Sequence, residues 1–160
     1  MKKYNNKKII FPRGFKKFAK DNSSIQDVNN SDCILYKEQI DERIIDVVSQ
    51  IGVDIKNIGE VAFMDLRQNI MPHEDYDFCA CQGYTKACLL IIDNKWFDVN
   101  KYKDTPLHNY FYSDGQFHII ENGKAYRFTP KKEHAVMNNS TILCMVVFYK
   151  GNDNFELDIN

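Results

Sequence analysis

Phe117-His118-Ile119-Ile120-Glu121-Asn122-Gly123-Lys124-Ala125-Tyr126-Arg127-Phe128-Thr129 is the stretch whose reading decides the fold. Two β-prone runs, Phe117 to Glu121 and Ala125 to Thr129, flank Asn122-Gly123. Asn-Gly is the strongest two-residue hairpin signal, because both positions accept positive φ. The stretch therefore predicts an antiparallel hairpin. Segments of the same kind lie on both sides of it. Upstream, Val61 to Leu66 is apolar on both alternating faces, Phe78 to Cys81 is short and mixed, and Ala87 to Ile92 is a continuous apolar run of strand length. Trp96-Phe97 and Tyr110-Phe111-Tyr112 follow, with Asp114-Gly115 as a turn and a polar loop over 98–109. Downstream, Thr141 to Tyr149 reads as a last long strand, and the tail from Gly151 is acidic.

The beginning of the chain has a different pattern. Ile40, Ile44, Val47, Val48 and Ile51 form a stripe at helical spacing, and Gly52 stands where a helix stop is favoured. Gly14 to Lys20 predicts one or two helical turns, with Phe15, Phe18 and Ala19 on one face. Ile9-Ile10-Phe11 reads as a short strand and Asp21 to Asp32 as a loop. Helices first, then seven or eight closely spaced strands, predict a mostly β jelly roll or distorted barrel with helices packed outside. The expected organisation is one domain over 1–160, with a helical and loop region at 1–58 packed on a β core at 59–150.

Composition narrows the function. The formal net charge of −1 lacks the broad basic field of a protein held by nucleic-acid phosphates. The five cysteines are odd in number and lie mostly in apolar runs, so free buried thiols are expected rather than a disulfide framework. With no signal peptide and no apolar run approaching about 20 residues, the expectation is a soluble cytoplasmic protein without a membrane partner.

The residues that carry chemistry are few. Met71-Pro72-His73-Glu74-Asp75 holds a histidine and an acid two positions apart, and residues two apart on a strand share a face. His134 follows the Asn-Gly stretch and the Pro130 turn, which would return it to the same barrel mouth. Two imidazoles and one carboxylate that leave metal positions open form the ligand set of non-haem Fe(II) oxygenases. His108 and His118 are the alternative ligands, and Arg67 has a choice between substrate and a surface ion pair.

Over roughly residues 59–149 the chain resembles the Fe(II)/2-oxoglutarate-dependent dioxygenases. The resemblance rests on His73-Glu74-Asp75, on Gly123 to Pro130, and on His134-Ala135-Val136-Met137-Asn138, which is similar to the stretch before the final strand in aspartyl/asparaginyl and prolyl hydroxylase-like enzymes. It implies a double-stranded β-helix, iron on His73, Asp75 and His134, 2-oxoglutarate and dioxygen as cosubstrates, and hydroxylation of a C–H bond. The substrate would be a protein side chain, a free amino acid or a nucleobase, with a protein or peptide favoured. Family members bind the far carboxylate of 2-oxoglutarate with a cation after the distal histidine, whereas Ile142 to Val146 has none. A buried dicarboxylate needs a counter-charge. Lys86 is the first choice for it, with Tyr84 as hydrogen-bond partner, Arg127 as the reserve and Lys150 third. Two other readings compete: a cupin-like metal protein without 2-oxoglutarate, and a non-catalytic jelly-roll interaction module.

Overall fold

The computed structural model describes residues 8–26, 33–36, 40–75, 83–94 and 108–151. Two β-sheets face each other, antiparallel throughout except where the edge strand at Ser24–Gln26 runs parallel to its neighbour, and two helices cover the outer side of the larger one. The first helix, α1 (Phe15–Asp21), buries Phe15 and Ala19. The second, α2 (Glu42–Gln50), starts at Asp41, whose Oδ1 accepts from Arg43 N and Ile44 N at 2.9 and 3.2 Å. Such a cap contributes about 1 kcal/mol. The helix stops at Gly52, which takes φ +72°. Ile44, Val47 and Val48 are buried, each burial giving roughly 1.5–3 kcal/mol.

The strands are β1 (Ser24–Gln26), β2 (Cys33–Tyr36), β3 (Ile58–Leu66), β4 (Ile70–His73), β5 (Lys86–Asn94), β6 (Tyr110–Ser113), β7 (Gln116–Ile119), β8 (Ala125–Phe128), β9 (His134–Met137) and β10 (Ile142–Tyr149). The larger sheet has the order β1-β3-β10-β5-β8, with β2 also on β3, and the smaller sheet is β4-β9-β6-β7. From β3 onward, strands therefore distribute between the sheets as in a double-stranded β-helix, the arrangement expected from the sequence. β1 and β2 were not expected, since their residues lie in and just beyond the stretch read as a loop. Ile9 to Phe11 is not a strand; Ile9 N donates to Gly123 O at 2.6 Å and Ile10 N to Gln50 Oε1 at 2.8 Å. Phe78 to Cys81, Trp96-Phe97 and residues 98–107 lie outside the described residues.

The larger sheet is buried on both faces, which is why its strands read as unbroken apolar runs. Val61 and Phe63 of β3, Cys88, Leu90 and Ile92 of β5, and Met145, Val147 and Tyr149 of β10 pack towards the helices. Met64 and Leu66, Ala87, Leu89 and Ile91, and Cys144 and Val146 point the other way, into the space between the sheets. There they meet Phe111 of β6, Ile120 and Val136 of β9. Cys88 and Cys144 are buried thiols outside any disulfide.

The Asn-Gly hairpin does not form. β7 pairs with β6 in the smaller sheet, and β8 pairs with β5 in the larger one. Asn122-Gly123 is instead the corner between the sheets. Gly123 N donates to Ile91 O at 2.9 Å, and Asn122 Oδ1 accepts from Asn94 N, so the corner is bonded to β5 rather than closing on itself. The two-residue hairpin is at Asp114-Gly115, with φ of 52° and 75°, the pair of positive values that a type I′ turn needs.

Gly59 lies beneath Tyr84. A Cβ at this position would stand 2.5 Å from Tyr84 Cδ2. Gly59→Ala is expected to destabilise the protein by about 1–3 kcal/mol, the usual cost of overpacking. Urea unfolding would show this as a lower midpoint at constant slope; an unchanged midpoint would mean the ring swings aside freely.

Candidate metal centre

His73 is the last residue of β4 and His134 the first of β9, and these two residues are register partners across the antiparallel pair. Asp75 lies beyond the end of β4. Its backbone N–H donates to Pro130 O at 2.8 Å, which ties it to the turn leading into His134. The strand pleat thus brings the histidines side by side, while a cross-loop hydrogen bond positions the acid. The expectation that His73 and Asp75 share one strand face is corrected here: Asp75 is outside the strand.

The three side chains converge. His73 Nε2 is 3.1 Å from Asp75 Oδ1, and His134 Nε2 is 3.3 Å from Asp75 Oδ2. One ligand atom from each residue lies within 4.8 Å of the others. The rings are tilted against each other with centroids 4.4 Å apart, and Phe128 packs on His134 at 4.7 Å. His134 is buried, His73 is exposed and Asp75 is intermediate.

The hydrogen bonds of the rings fix their tautomers. His73 Nδ1–H donates to Met71 O and His134 Nδ1–H to Lys132 O, both at 2.8 Å. A carbonyl only accepts, so each Nδ1 carries a proton and each neutral ring turns its Nε2 lone pair towards the carboxylate. Two lone pairs aimed at a carboxylate repel it unless a cation, a proton or a metal, stands between them. For Asp75, burial pushes the pKa up, but with the rings also protonated at Nε2, hydrogen bonds from His134 and His73 and their charges outweigh it and hold the acid at about 2. The donor set is suited to a divalent transition metal: two imidazole nitrogens with backbone-anchored far sides, and an ionised carboxylate.

The other residues singled out in the sequence lie elsewhere. Lys86 starts β5 on the face shared with Cys88, Leu90 and Ile92, pairs with Tyr149, and donates to Gly151 O at 2.7 Å. Arg127 pairs with Cys88 and is exposed. Both cations are on the outer face of the larger sheet, away from the space between the sheets. The assignment of Lys86 or Arg127 as a 2-oxoglutarate anchor is therefore corrected: alternation along β5 and β8 turns them outward. Tyr84 packs on Gly59, and Lys150 Nζ lies 5.4 Å from the Tyr84 ring centroid. Arg67 pairs with Asp65 at 3.2 Å. His108 packs edge-on to Tyr110, and His118, paired with Phe111, faces inward one row deeper than His134.

Sequence reasoning missed two residues of the same interior. Ser113 is buried and is the register partner of His134 on β6. Glu60, at 8% exposure, is on the inward face of β3. An acid just ahead of an apolar strand was the only available signal for it.

No protein-family model and no curated protein matches this chain. Among solved structures, it is similar to a cupin-2 domain containing protein from Shewanella frigidimarina, at 11% identity over 61% of this chain and 76% of that one, with a TM-score of 0.41. It is also similar to the conserved SPY1581 protein of unknown function from Streptococcus pyogenes, at 13% identity over 95% and 97% of the two chains, with a TM-score of 0.45. Among the described residues no helix is long and apolar enough to cross a membrane.

Proposed function

We propose that this chain is a mononuclear Fe(II)-dependent oxygenase that binds its metal through His73, Asp75 and His134 and oxidises an organic substrate with dioxygen. The observation that carries this reading is the convergence of two backbone-fixed Nε2 atoms on one carboxylate. Three protein ligands leave metal positions for substrate and dioxygen. Bound iron would supply the activation of dioxygen. The protein's own residues do the rest. Met71 O and Lys132 O hold the rings in one tautomer. Phe128, packed on His134, with Phe111 and Val136 behind it, keeps the inner wall on the His134 side apolar, while His73 stands open to solvent.

The strands β3 to β10 carry only two cations, Lys86 and Arg127, and both face outward. This favours an oxygenase whose organic substrate approaches the metal without 2-oxoglutarate. The 2-oxoglutarate-dependent hydroxylase is the second reading, supported by the placement of His73 and His134 at facing ends of β4 and β9.

Anaerobic titration with Fe(II) tests the proposal and should reach one iron per chain. Adding 2-oxoglutarate should then give no visible charge-transfer band. Appearance of the band would transfer the assignment to the second reading. Failure to bind iron would leave an interaction module and remove both.

A further inference from the structure

We propose, resting on the ligand set given above, that Pro72 is a positioning residue of the metal centre: by forcing a β-bulge in β4 it moves His73 into the slot beside His134. Ile70 is the register partner of Val136, and His73 of His134, with a register shift between the two pairs. Two residues, Met71 and Pro72, thus stand on β4 where β9 has Ala135 alone. Regular antiparallel pairing from Ile70 would put Pro72, not His73, opposite His134. It would also turn His73 to the outer face, because side chains alternate along a strand and a slip of one residue reverses them. Ile70 packs on the cluster between the sheets, and His134 lies two residues from Val136 of that cluster. His73 meets His134 and Asp75 on the same side. Two inward residues three apart fit one strand only across a bulge.

The residue types at the bulge account for it. Proline has no N–H to give to a ladder, and within sheets it is confined to edge strands, strand starts and bulges. β4 stands at the edge of the smaller sheet, beside β9. Regular pairing would press the proline ring into the inward slot against His134, whereas the bulge leaves both Met71 and Pro72 exposed, Met71 at 71%. The bulge also supplies the partner of the ring that it re-aims. Met71 O, inside the bulge, accepts from His73 Nδ1–H at 2.8 Å. Beyond His73 the chain is fixed again, with Asp75 N donating to Pro130 O at 2.8 Å. The bulge therefore lies between two anchors, Ile70 on the core and Asp75 on the turn at Pro130, and takes up the one residue by which the chain between them exceeds regular pairing.

Anaerobic Fe(II) titration of wild-type protein, of Pro72→Val and of a chain lacking Pro72 tests this, with urea unfolding of each metal-free protein alongside. Valine can donate to the ladder and suits a strand, so Pro72→Val lets β4 close in regular pairing with the valine opposite His134 and His73 outside. Its Fe(II) affinity should fall by about 10–100-fold, at least the scale of losing an outer partner of a metal ligand. Its metal-free unfolding midpoint should hold that of wild type. Deleting Pro72 removes the extra residue instead, so His73 meets His134 in regular pairing and Asp75 keeps its spacing from it. The affinity of the deleted chain should stay within a few-fold of wild type. A purely structural role for Pro72 predicts the opposite order, since a deletion disturbs a strand more than a substitution does. Wild-type affinity in Pro72→Val, a loss in the deleted chain as large as in Pro72→Val, or failure of either variant to fold would each overturn the proposal, the last because the bulge would then serve the sheet and not His73. Absence of Fe(II) binding in wild-type protein would sink the oxygenase reading and this one together, whereas the other failures leave the oxygenase reading standing.

Discussion

His134→Ala is expected to weaken Fe(II) binding by at least about 100-fold, since loss of even an outer partner of a metal ligand costs 10–100-fold. His134 is the buried member of the three, and its Nδ1–H is already committed to Lys132 O, so its Nε2 has no role in the backbone network. Removing the ring leaves His73 at the end of β4 and Asp75 beyond it, two donors where three converged. Thermal unfolding gives a second readout. Metal at 100 times its dissociation constant should stabilise wild-type protein by about 2.7 kcal/mol and the variant hardly at all. Lys86→Ala is the counter-case: its Nζ reaches Gly151 O on the outer face, so iron binding should match wild type. Wild-type iron affinity in His134→Ala would refute the ligand set. A loss in Lys86→Ala equal to that in His134→Ala would show that the measurement reports folding instead of ligation.

The contrast between His134 and Lys86 shows how far the sequence was legible. The three candidate ligands could be singled out because a histidine and an acid two apart, plus a distant histidine, form a pattern of residue types that survives any error in strand pairing, and the structure brings them together. The direction of Lys86 could not. β5 is apolar on both faces, with Ala87, Leu89 and Ile91 on one side and Cys88, Leu90 and Ile92 on the other, so alternation gives two faces but no sign for inward. Asn122-Gly123 misled for a related reason. A turn signal states that the chain bends, while the partner of each arm is set by contacts far away, here Gly123 N on Ile91 O and Asn122 Oδ1 on Asn94 N. Asp114-Gly115, the weaker signal, makes the hairpin because β6 and β7 share a sheet.

Asn109→Ala is expected to lower the unfolding free energy by about 3–5 kcal/mol, because several buried polar groups lose their partner at once. Asn109 precedes β6 and is 2% exposed. Its Oδ1 accepts from Asn139 N at 2.6 Å and Ser140 N at 3.2 Å. Its Nδ2 donates to Ser140 Oγ at 2.7 Å and to Asn94 Oδ1. All four hydrogen-bond positions of the amide are used, and they join the end of β5, the start of β6 and the turn before β10. Asn94 passes the network on to Ile120 O, so the corner at Asn122-Gly123 depends on it as well. Alanine leaves two backbone N–H groups, a hydroxyl and an amide oxygen to find other partners. Asn109→Asp should cost less than alanine but more than nothing: Oδ1 still accepts, whereas the second oxygen faces Asn94 Oδ1, whose own Nδ2 is committed to Ile120 O. Guanidinium unfolding would rank wild type, aspartate and alanine in that order, with a change of midpoint at constant slope. The three residue steps of β9 from His134 to Met137 span about 10 Å and separate this network from the metal centre. Iron affinity of the folded variants should therefore remain within a few-fold of wild type, by additivity of distant sites. A loss below 1 kcal/mol for alanine would mean that water replaces the amide at no cost, and the network would then shape the corner without stabilising it.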